Sequence, residues 1–278
     1  MKKSHDPHLA PIAGTRGPCA LCRNYSDLTE THIMPRAAGN SGPFLAESFI
    51  ASISSVEGKF TKRRFQNGVW FRTLCSSCNN NLGGTEDQEI TNFYRSVRRL
   101  VGSSLTQWPR IMHYEVRPNI LLKGILVHLL SANESGTPSE FDELVRAIYR
   151  GETNLHATPL NVFYWPYRGK ELTIVREVVA HANVRNSEPH LIYLIKLKPL
   201  SFAVTTSLKF GSRPRLNDYI TNHDSLKRTI PLIMTQIESN SCWPATVGKQ
   251  GLILTGAGTS GLVATPTWRT KTRSIKRL

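Results

Sequence analysis

Residues 86–100, EDQEITNFYRSVRRL, show the clearest periodic pattern of apolar and polar positions in the chain. The apolar side chains recur every three or four residues, which is the spacing of one face of an α-helix. Acidic residues begin the segment and arginines end it, as the helix dipole favours. The pattern predicts an amphipathic helix that buries Ile90, Phe93, Tyr94, Val97 and Leu100.

Two further helices are predicted in the middle of the chain, where they form a helical hairpin. Residues 118–132 are almost continuously apolar and begin with a proline, which suits the first turn of a core helix. The next helix is predicted to follow Thr137 and Glu140, which have the spacing of a capping box. It is expected to end near Gly151.

Strand patterns occupy the other segments. Asn67-Gly68 is a strong turn signal between two short runs in residues 60–74, so a β-hairpin is predicted there. From residue 161 onward, runs of β-branched and aromatic residues are separated by Pro, Gly and Asn, which predicts a mostly antiparallel sheet. Residues 252–261 have the glycine spacing of a dinucleotide-binding turn. Pro266 argues against a following helix and no acidic residue follows, so a glycine-rich hairpin or a junction to the tail is the preferred interpretation.

Composition favours a folded chain with a polyanionic partner. Of the 278 residues, 40% are hydrophobic, which is enough for a packed core. The 35 Lys and Arg residues exceed the 20 Asp and Glu residues and give a net charge of +15. Such an excess favours nucleic acid, because each phosphate that is neutralised releases counterions. There is neither a secretory signal nor an apolar run of membrane-spanning length, so a cytoplasmic protein without membrane contact is expected.

Four of the five cysteines form two Cys-x-x-Cys pairs, Cys19 with Cys22 and Cys75 with Cys78. Two such pairs supply four thiolates to one tetrahedral zinc ion, and a site with four thiolates is structural. The ion would hold together two stretches that lie some fifty positions apart. The alternative is two unrelated redox or core pairs. The fifth, Cys242, is expected to be a small buried apolar residue.

Three motifs, CALC (19–22), THIMPRAAG (31–39) and LCSSCNNNLGG (74–84), together resemble the HNH endonuclease family, the zinc-knuckle branch of the ββα-metal nucleases. The resemblance covers roughly residues 18–100. It implies hydrolysis of phosphodiester bonds in nucleic acid, DNA more than RNA, in a setting of phage defence or mobile elements. Beside the structural zinc, it implies a catalytic Mg²⁺ or Mn²⁺ ion.

The fold class predicted from these patterns is α+β. An N-terminal zinc-knuckle ββα-metal unit is followed by an α+β domain with the helical hairpin and the mostly antiparallel sheet. The predicted boundaries are a flexible lead-in at residues 1–17, the nuclease unit at 18–108, a domain of unassigned role at 109–265 and a basic tail at 266–278. The second domain is a candidate surface for a protein partner or a homo-oligomer.

By resemblance, His32 is the general base that deprotonates water. Asn67 is a candidate for orienting the His32 ring, and Asn79 for binding the catalytic cation. Two alternatives stay open. The His32 imidazole caps a backbone carbonyl in a structural turn, or the asparagines at 79–81 only tolerate the left-handed backbone of a knuckle.

The chain departs from the family pattern at Thr31, where an acid that binds the cation usually precedes the histidine. Glu30 is adjacent, and Glu86 or Asp87 can supply a carboxylate from the start of the predicted helix. The site is therefore either rewired or weakened. The second interpretation is a catalytically degenerate, zinc-containing nucleic-acid-binding protein or complex subunit.

Six arginines near these motifs, interleaved with aromatic residues, are candidates for phosphate contacts. An ordinary solvated face is the alternative interpretation. The six are Arg36, Arg63, Arg64, Arg72, Arg98 and Arg99.

Overall fold

The computed structural model describes residues 15–53, 62–101, 108–133, 138–181, 190–239 and 252–267. These segments form a mixed α+β structure with mostly antiparallel sheets, which confirms the coarse fold class. The predicted basic tail lies beyond the described residues, except at positions 266 and 267. Residues 1–14 of the predicted lead-in lie outside the described residues, and the first described strand begins at Arg16.

The helices in the described segments have these bounds: α1 Phe49–Ile53, α2 Ser76–Gly84, α3 Glu86–Val101, α4 Pro118–Ser131 and α5 Glu140–Tyr149. The strands are β1 Arg16–Pro18, β2 Tyr25–His32, β3 Phe44–Ser48, β4 Arg63–Phe65, β5 Trp70–Cys75, β6 Ile111–Val116, β7 Asn161–Pro166, β8 Leu172–His181, β9 His190–Leu197, β10 Leu200–Thr205, β11 Arg228–Ile233 and β12 Leu252–Pro266. Among these helices, none is long and apolar enough to cross a membrane.

The strands form three sheets. The first has the order β1-β2-β5, the second β4-β3-β12-β8-β9-β10-β7, and the third pairs β11 with β6. The seven-stranded sheet joins β3 and β4 to strands from beyond residue 160. One hydrophobic core extends from Cys19 to Ala264. Sheet and core therefore continue across the predicted boundary at residue 108.

The predicted helices are present, but the N-terminal capping residues of α5 differ from the prediction. The amphipathic helix and the core helix are confirmed as α3 and α4. The capping box of α5 is two residues later than predicted. Ser139 accepts a hydrogen bond from the Asp142 backbone, and the Asp142 carboxylate accepts one from the Ser139 backbone. An aspartate at the third helical position serves here as well as the expected glutamate.

Two strand predictions are wrong. The runs on either side of Asn67-Gly68 do not pair with each other, because β4 pairs with β3 and β5 pairs with β2. The turn thus connects two sheets instead of closing a hairpin. The glycine-rich run is a single strand, β12, whose register on β8 shifts between Thr255 and Ser260. A bulge accommodates the glycines where a turn was expected.

Helix α4 is buried over almost its whole surface and contacts β5 of one sheet and β9 of another. Its last carbonyl groups lack partners within the helix. The Thr73 hydroxyl donates to the Ser131 carbonyl at 2.7 Å, and Arg176 donates to the Leu129 carbonyl. The C-terminus of α4 therefore joins the three-stranded sheet to the seven-stranded sheet.

Candidate functional site

The four cysteines of the two Cys-x-x-Cys pairs form one cluster. Their sulfur atoms all lie within 4.8 Å of one another, so the cluster can hold a metal ion such as zinc. The Sγ atoms of Cys22 and Cys75, which belong to different pairs, are 3.9 Å apart. Four sulfurs at about 2.3 Å from a tetrahedral zinc would be about 3.8 Å apart. The distance between these two sulfurs therefore fits a tetrahedral zinc ion.

The cluster lies at the end of the three-stranded sheet. The first pair precedes β2, and Arg23 just after it has a φ of 67°, which lets the chain turn back. The Cys75 backbone N–H donates to Cys19 Sγ at 3.3 Å. Burial raises the pKa of Cys22 and of Cys78. Burial also acts to raise the pKa of Cys75, but hydrogen bonds from Cys78 and the other thiols outweigh it and leave that pKa lowered.

The elements beside this cluster bring His32 and Asn79 to one place. Strands β2 and β5 pair antiparallel, and α2 begins directly after β5. His32 is the last residue of β2, and Asn79 lies in the first turn of α2. The residues around Asn79 are helical, so the left-handed backbone considered for them is not adopted.

The Asn67 carbonyl fixes the His32 ring. It lies 2.9 Å from His32 Nε2 and can only accept a hydrogen bond, so Nε2 carries the hydrogen. A neutral ring then has its lone pair on Nδ1. Asn67 thus contacts the ring through its backbone carbonyl, as the structural-turn alternative for His32 expects. The same contact orients the ring, which is the role predicted for Asn67, so it is compatible with both interpretations.

The turn that carries Asn67 is held by Asn40, a buried residue whose role the sequence did not reveal. Asn40 Nδ2 donates to the carbonyls of Met34 and Val69 at 3.0 and 2.8 Å, and its Oδ1 accepts from the Val69 N–H at 2.7 Å. Gly68 has a φ of 84°, and a Cβ there would lie 2.2 Å from the Asn40 carbonyl oxygen. Only glycine fits against this clamp.

We expect Asn40→Ala to destabilise the protein by about 3 kcal/mol or more, because buried polar groups left without partners cost about 1–3 kcal/mol each. Chemical denaturation measures this difference. Asn80→Ala, an exposed change on α2, is the matched control and should stay within about 0.5 kcal/mol of the parent. A loss below about 1 kcal/mol for Asn40→Ala would contradict the clamp.

The His32 pKa is lowered from its ordinary value. Burial is the largest cause, because it disfavours the charged imidazolium. The hydrogen bond to Asn67 acts in the opposite direction, Arg36 lowers the pKa further, and Glu30 and Asp87 raise it. The net effect keeps the ring neutral, as a general base requires.

His32 is one of the residues that line a pocket of about 640 Å³. This volume suits a small group such as a phosphodiester with part of its sugar. The pocket is lined by Glu30, His32, Pro35, Arg36, Ala37, Asn79, Leu82, Gly83, Asp87, Gln88, Thr91, Asn92, Arg95 and His128.

The hydrogen bonds of Asn79 fix the orientation of its amide. Nδ2 is 3.1 Å from Thr29 Oγ1 and 3.4 Å from the Glu30 carbonyl. The Thr29 hydroxyl already donates to Leu74, so toward Asn79 it accepts, as the carbonyl does. Both partners require the amide N–H₂ group, and the Asn79 Oδ1 atom is left for a ligand.

The predicted acids occupy different positions. Glu30 lines the pocket and is 3.3 Å from Arg72. Glu86 does not line it, because it is buried against Gly124 of α4, and burial raises its pKa. Thr31 is only 1% exposed and donates weakly to Thr29 at 3.5 Å. A carboxylate at position 31 would therefore point into the core.

His128, which the sequence motifs do not identify, lines the same pocket. Its Nε2 atom is 2.8 Å from Asp87 Oδ1, and its Nδ1 atom is 3.1 Å from the His32 carbonyl. The side chain is 1% exposed and comes from α4, outside the segment that carries the motifs. A histidine within the mostly apolar sequence of α4 was the available signal, because buried polar groups need partners.

The six predicted arginines separate into different environments. Arg36 lines the pocket, as does Arg95, which lies outside the six. Arg72 pairs with Glu30, and Arg98 donates to the Ala38 carbonyl. The other three are Arg63 and Arg64 on β4 and Arg99 near the end of α3.

No protein-family model matches this chain, and neither the curated proteins nor the solved structures include a significant match.

Proposed function

We propose that this protein hydrolyses phosphodiester bonds in nucleic acid with His32 as the general base. The observation that carries the proposal is the position of the His32 ring, which contacts the Asn67 carbonyl through Nε2 and lines a pocket shared with Asn79 and two arginines. Burial lowers the His32 pKa, which favours the neutral form that a general base requires. The proposal is further supported by the pairing of β2 with β5, by the start of α2 directly after β5, and by the four clustered cysteines, together with the motifs that resemble the HNH family.

In the proposed reaction, His32 Nδ1 takes a proton from water as the water oxygen forms a bond to phosphorus. The bond from phosphorus to the departing sugar oxygen breaks, and that oxygen takes a proton from solvent. Arg36 and Arg95 line the pocket and neutralise phosphate charge. A divalent cation, for which the free Asn79 Oδ1 atom is a suitable ligand, would stabilise the charge on the scissile phosphate.

The four cysteines fit a structural role in this proposal. Zinc bound by four thiolates has no open position, so it would stabilise the fold without touching substrate. The net charge of +15 favours a polyanionic substrate. DNA is the first substrate to test, as the family resemblance suggests.

A second candidate is a binding-only protein, which one observation favours. The position before His32 holds a buried threonine in place of a cation-binding acid, and the neighbouring Glu30 pairs with Arg72. Such a protein would bind nucleic acid through the same pocket and arginines without cleaving it.

The test incubates the zinc-loaded protein with plasmid DNA, single-stranded DNA and RNA, each with Mg²⁺, with Mn²⁺ and with a chelator that leaves the zinc in place. We expect cleavage of at least one substrate, dependent on added cation and lost in His32→Ala at unchanged zinc content. Binding to all three without cleavage under any condition would favour the second candidate. Cleavage that persists in His32→Ala would overturn the assigned base.

A further inference from the structure

Position 31 lacks the cation-binding acid that the family resemblance implies. A residue that replaces this acid must line the pocket. Position 31 itself faces the core. Glu86 is packed against α4, and Glu30 is engaged by Arg72. The remaining carboxylate of the pocket is Asp87, at the start of α3, whose side chain is 29% exposed.

One oxygen of the Asp87 carboxylate is fixed by a hydrogen bond from a buried side chain. The Oδ1 atom receives the Nε2 hydrogen bond of His128 at 2.8 Å, from a histidine that is almost fully buried. Its other nitrogen, Nδ1, lies 3.1 Å from the His32 carbonyl, which also can only accept, so both contacts are hydrogen bonds only when the ring carries both protons. Both nitrogens face these oxygens, so neither is left to bind a metal. The second Asp87 oxygen keeps its acceptor capacity for a ligand.

We propose that Asp87 and Asn79 are the two protein ligands of one divalent cation, and that His128 is the positioning residue for this site. The inference rests on the proposed function for the role of the cation, although binding can be measured without cleavage. Mg²⁺ and Mn²⁺ favour one or two carboxylate or amide oxygens and retain several waters, which the pocket can accommodate. Metal-ligating carboxylates are commonly held by a hydrogen bond from behind, as Asp87 is.

His128 has a second effect in this arrangement. It contacts the backbone of the proposed base and the side chain of the proposed ligand, so it fixes their separation. The residue comes from α4, which is packed between the two larger sheets. The distance between base and cation would thus be set by the core of the protein and not by the motif-bearing segment alone.

The experiment measures Mn²⁺ binding to the zinc-loaded full chain by electron paramagnetic resonance and calorimetry. We expect one Mn²⁺ site beyond the zinc, weakened at least about tenfold in Asp87→Asn and in Asn79→Ala. His128→Ala should lose about 10–100-fold in Mn²⁺ affinity. His128→Gln, whose amide can still donate to Asp87, should recover part of that loss. Asp27→Asn, an exposed carboxylate change on β2, is the matched control and should bind as the parent does.

The inference is overturned if the parent has no additional Mn²⁺ site, or if Asp87→Asn binds Mn²⁺ as tightly as the parent. If His128→Ala binds as the parent does, the positioning role fails. Paramagnetic broadening of backbone amide signals in the parent gives a test that needs no variant, since amides near residues 79 and 87 should broaden first. His32→Ala separates the two proposals, because it should reduce cleavage by at least about 10²-fold and leave Mn²⁺ binding intact.

Discussion

Cys75→Ser is expected to remove the metal and to unfold the three-stranded sheet with α2. Apparent binding free energies of structural zinc in small peptides are about 10–16 kcal/mol, which is comparable with the whole stability of a domain. Cys75 ends β5, begins the turn into α2 and contributes to the main core. One lost ligand therefore affects a strand, a helix and the approach of Asn79 to His32 together.

Hydrogen exchange followed by mass spectrometry, with metal analysis of the same sample, measures this effect. Protection should be lost in residues 16–32 and 70–84 and retained in β9 and β10, which have their own pairing partners. Cys242→Ser is the matched control and should keep one zinc per chain, because four thiolates already fill the tetrahedral site. Unchanged protection in Cys75→Ser would show that the cluster does not stabilise the fold.

The sequence predicts local structure well where one strong periodic signal acts. Helix α3 follows from its apolar repeat, and α4 from its apolar length and its first proline. The cysteine cluster follows from spacing, because each pair supplies two ligands from one turn. The helix signals are local, so tertiary structure does not overturn them. The two cysteine pairs are far apart in the chain, but a shared metal ion relates them in a way that spacing reveals.

Strand pairing is less accessible, because partners are set by distant residues. Asn67-Gly68 does make a tight connection, but β4 finds its partner in β3 and β5 in β2. Loop signals identify where the chain turns and do not identify which strands meet afterwards. The same reason explains β12, whose glycines form a bulge on β8 and not a turn.

The sequence itself distinguishes Glu86 from Asp87 as the carboxylate of the pocket, because the two residues occupy different positions around α3. Glu86 lies four residues before Ile90 and seven before Phe93, which places it on the buried face of α3. Asp87 is rotated by about 100° from Glu86, which places it at the edge of that face, and it lines the pocket. His128 was harder to identify, because no spacing relates it to the motifs and only the packing of α4 brings it to His32.

The His32 prediction has the largest expected effect on activity. General bases contribute about 10²- to 10⁴-fold, so His32→Ala should reduce kcat/KM by that order. The base must be neutral, and activity therefore falls as the pH drops through the His32 pKa. Burial lowers this pKa, so the acidic limb should lie below the pH at which an ordinary imidazole titrates. His113→Ala, an exposed histidine on β6, is the matched control.

Two neighbouring charges should shift the midpoint of this limb in opposite directions. Arg36 lowers the His32 pKa and Glu30 raises it, so Arg36→Gln should move the midpoint of the kcat/KM limb to higher pH and Glu30→Gln to lower pH. Both variants change the pocket and will lower the maximal rate, but a midpoint is independent of amplitude. The profile of kcat/KM is the suitable measurement because it reports the free protein. Midpoints that shift in the same direction, or a limb retained in His32→Ala, would assign the titration to another group.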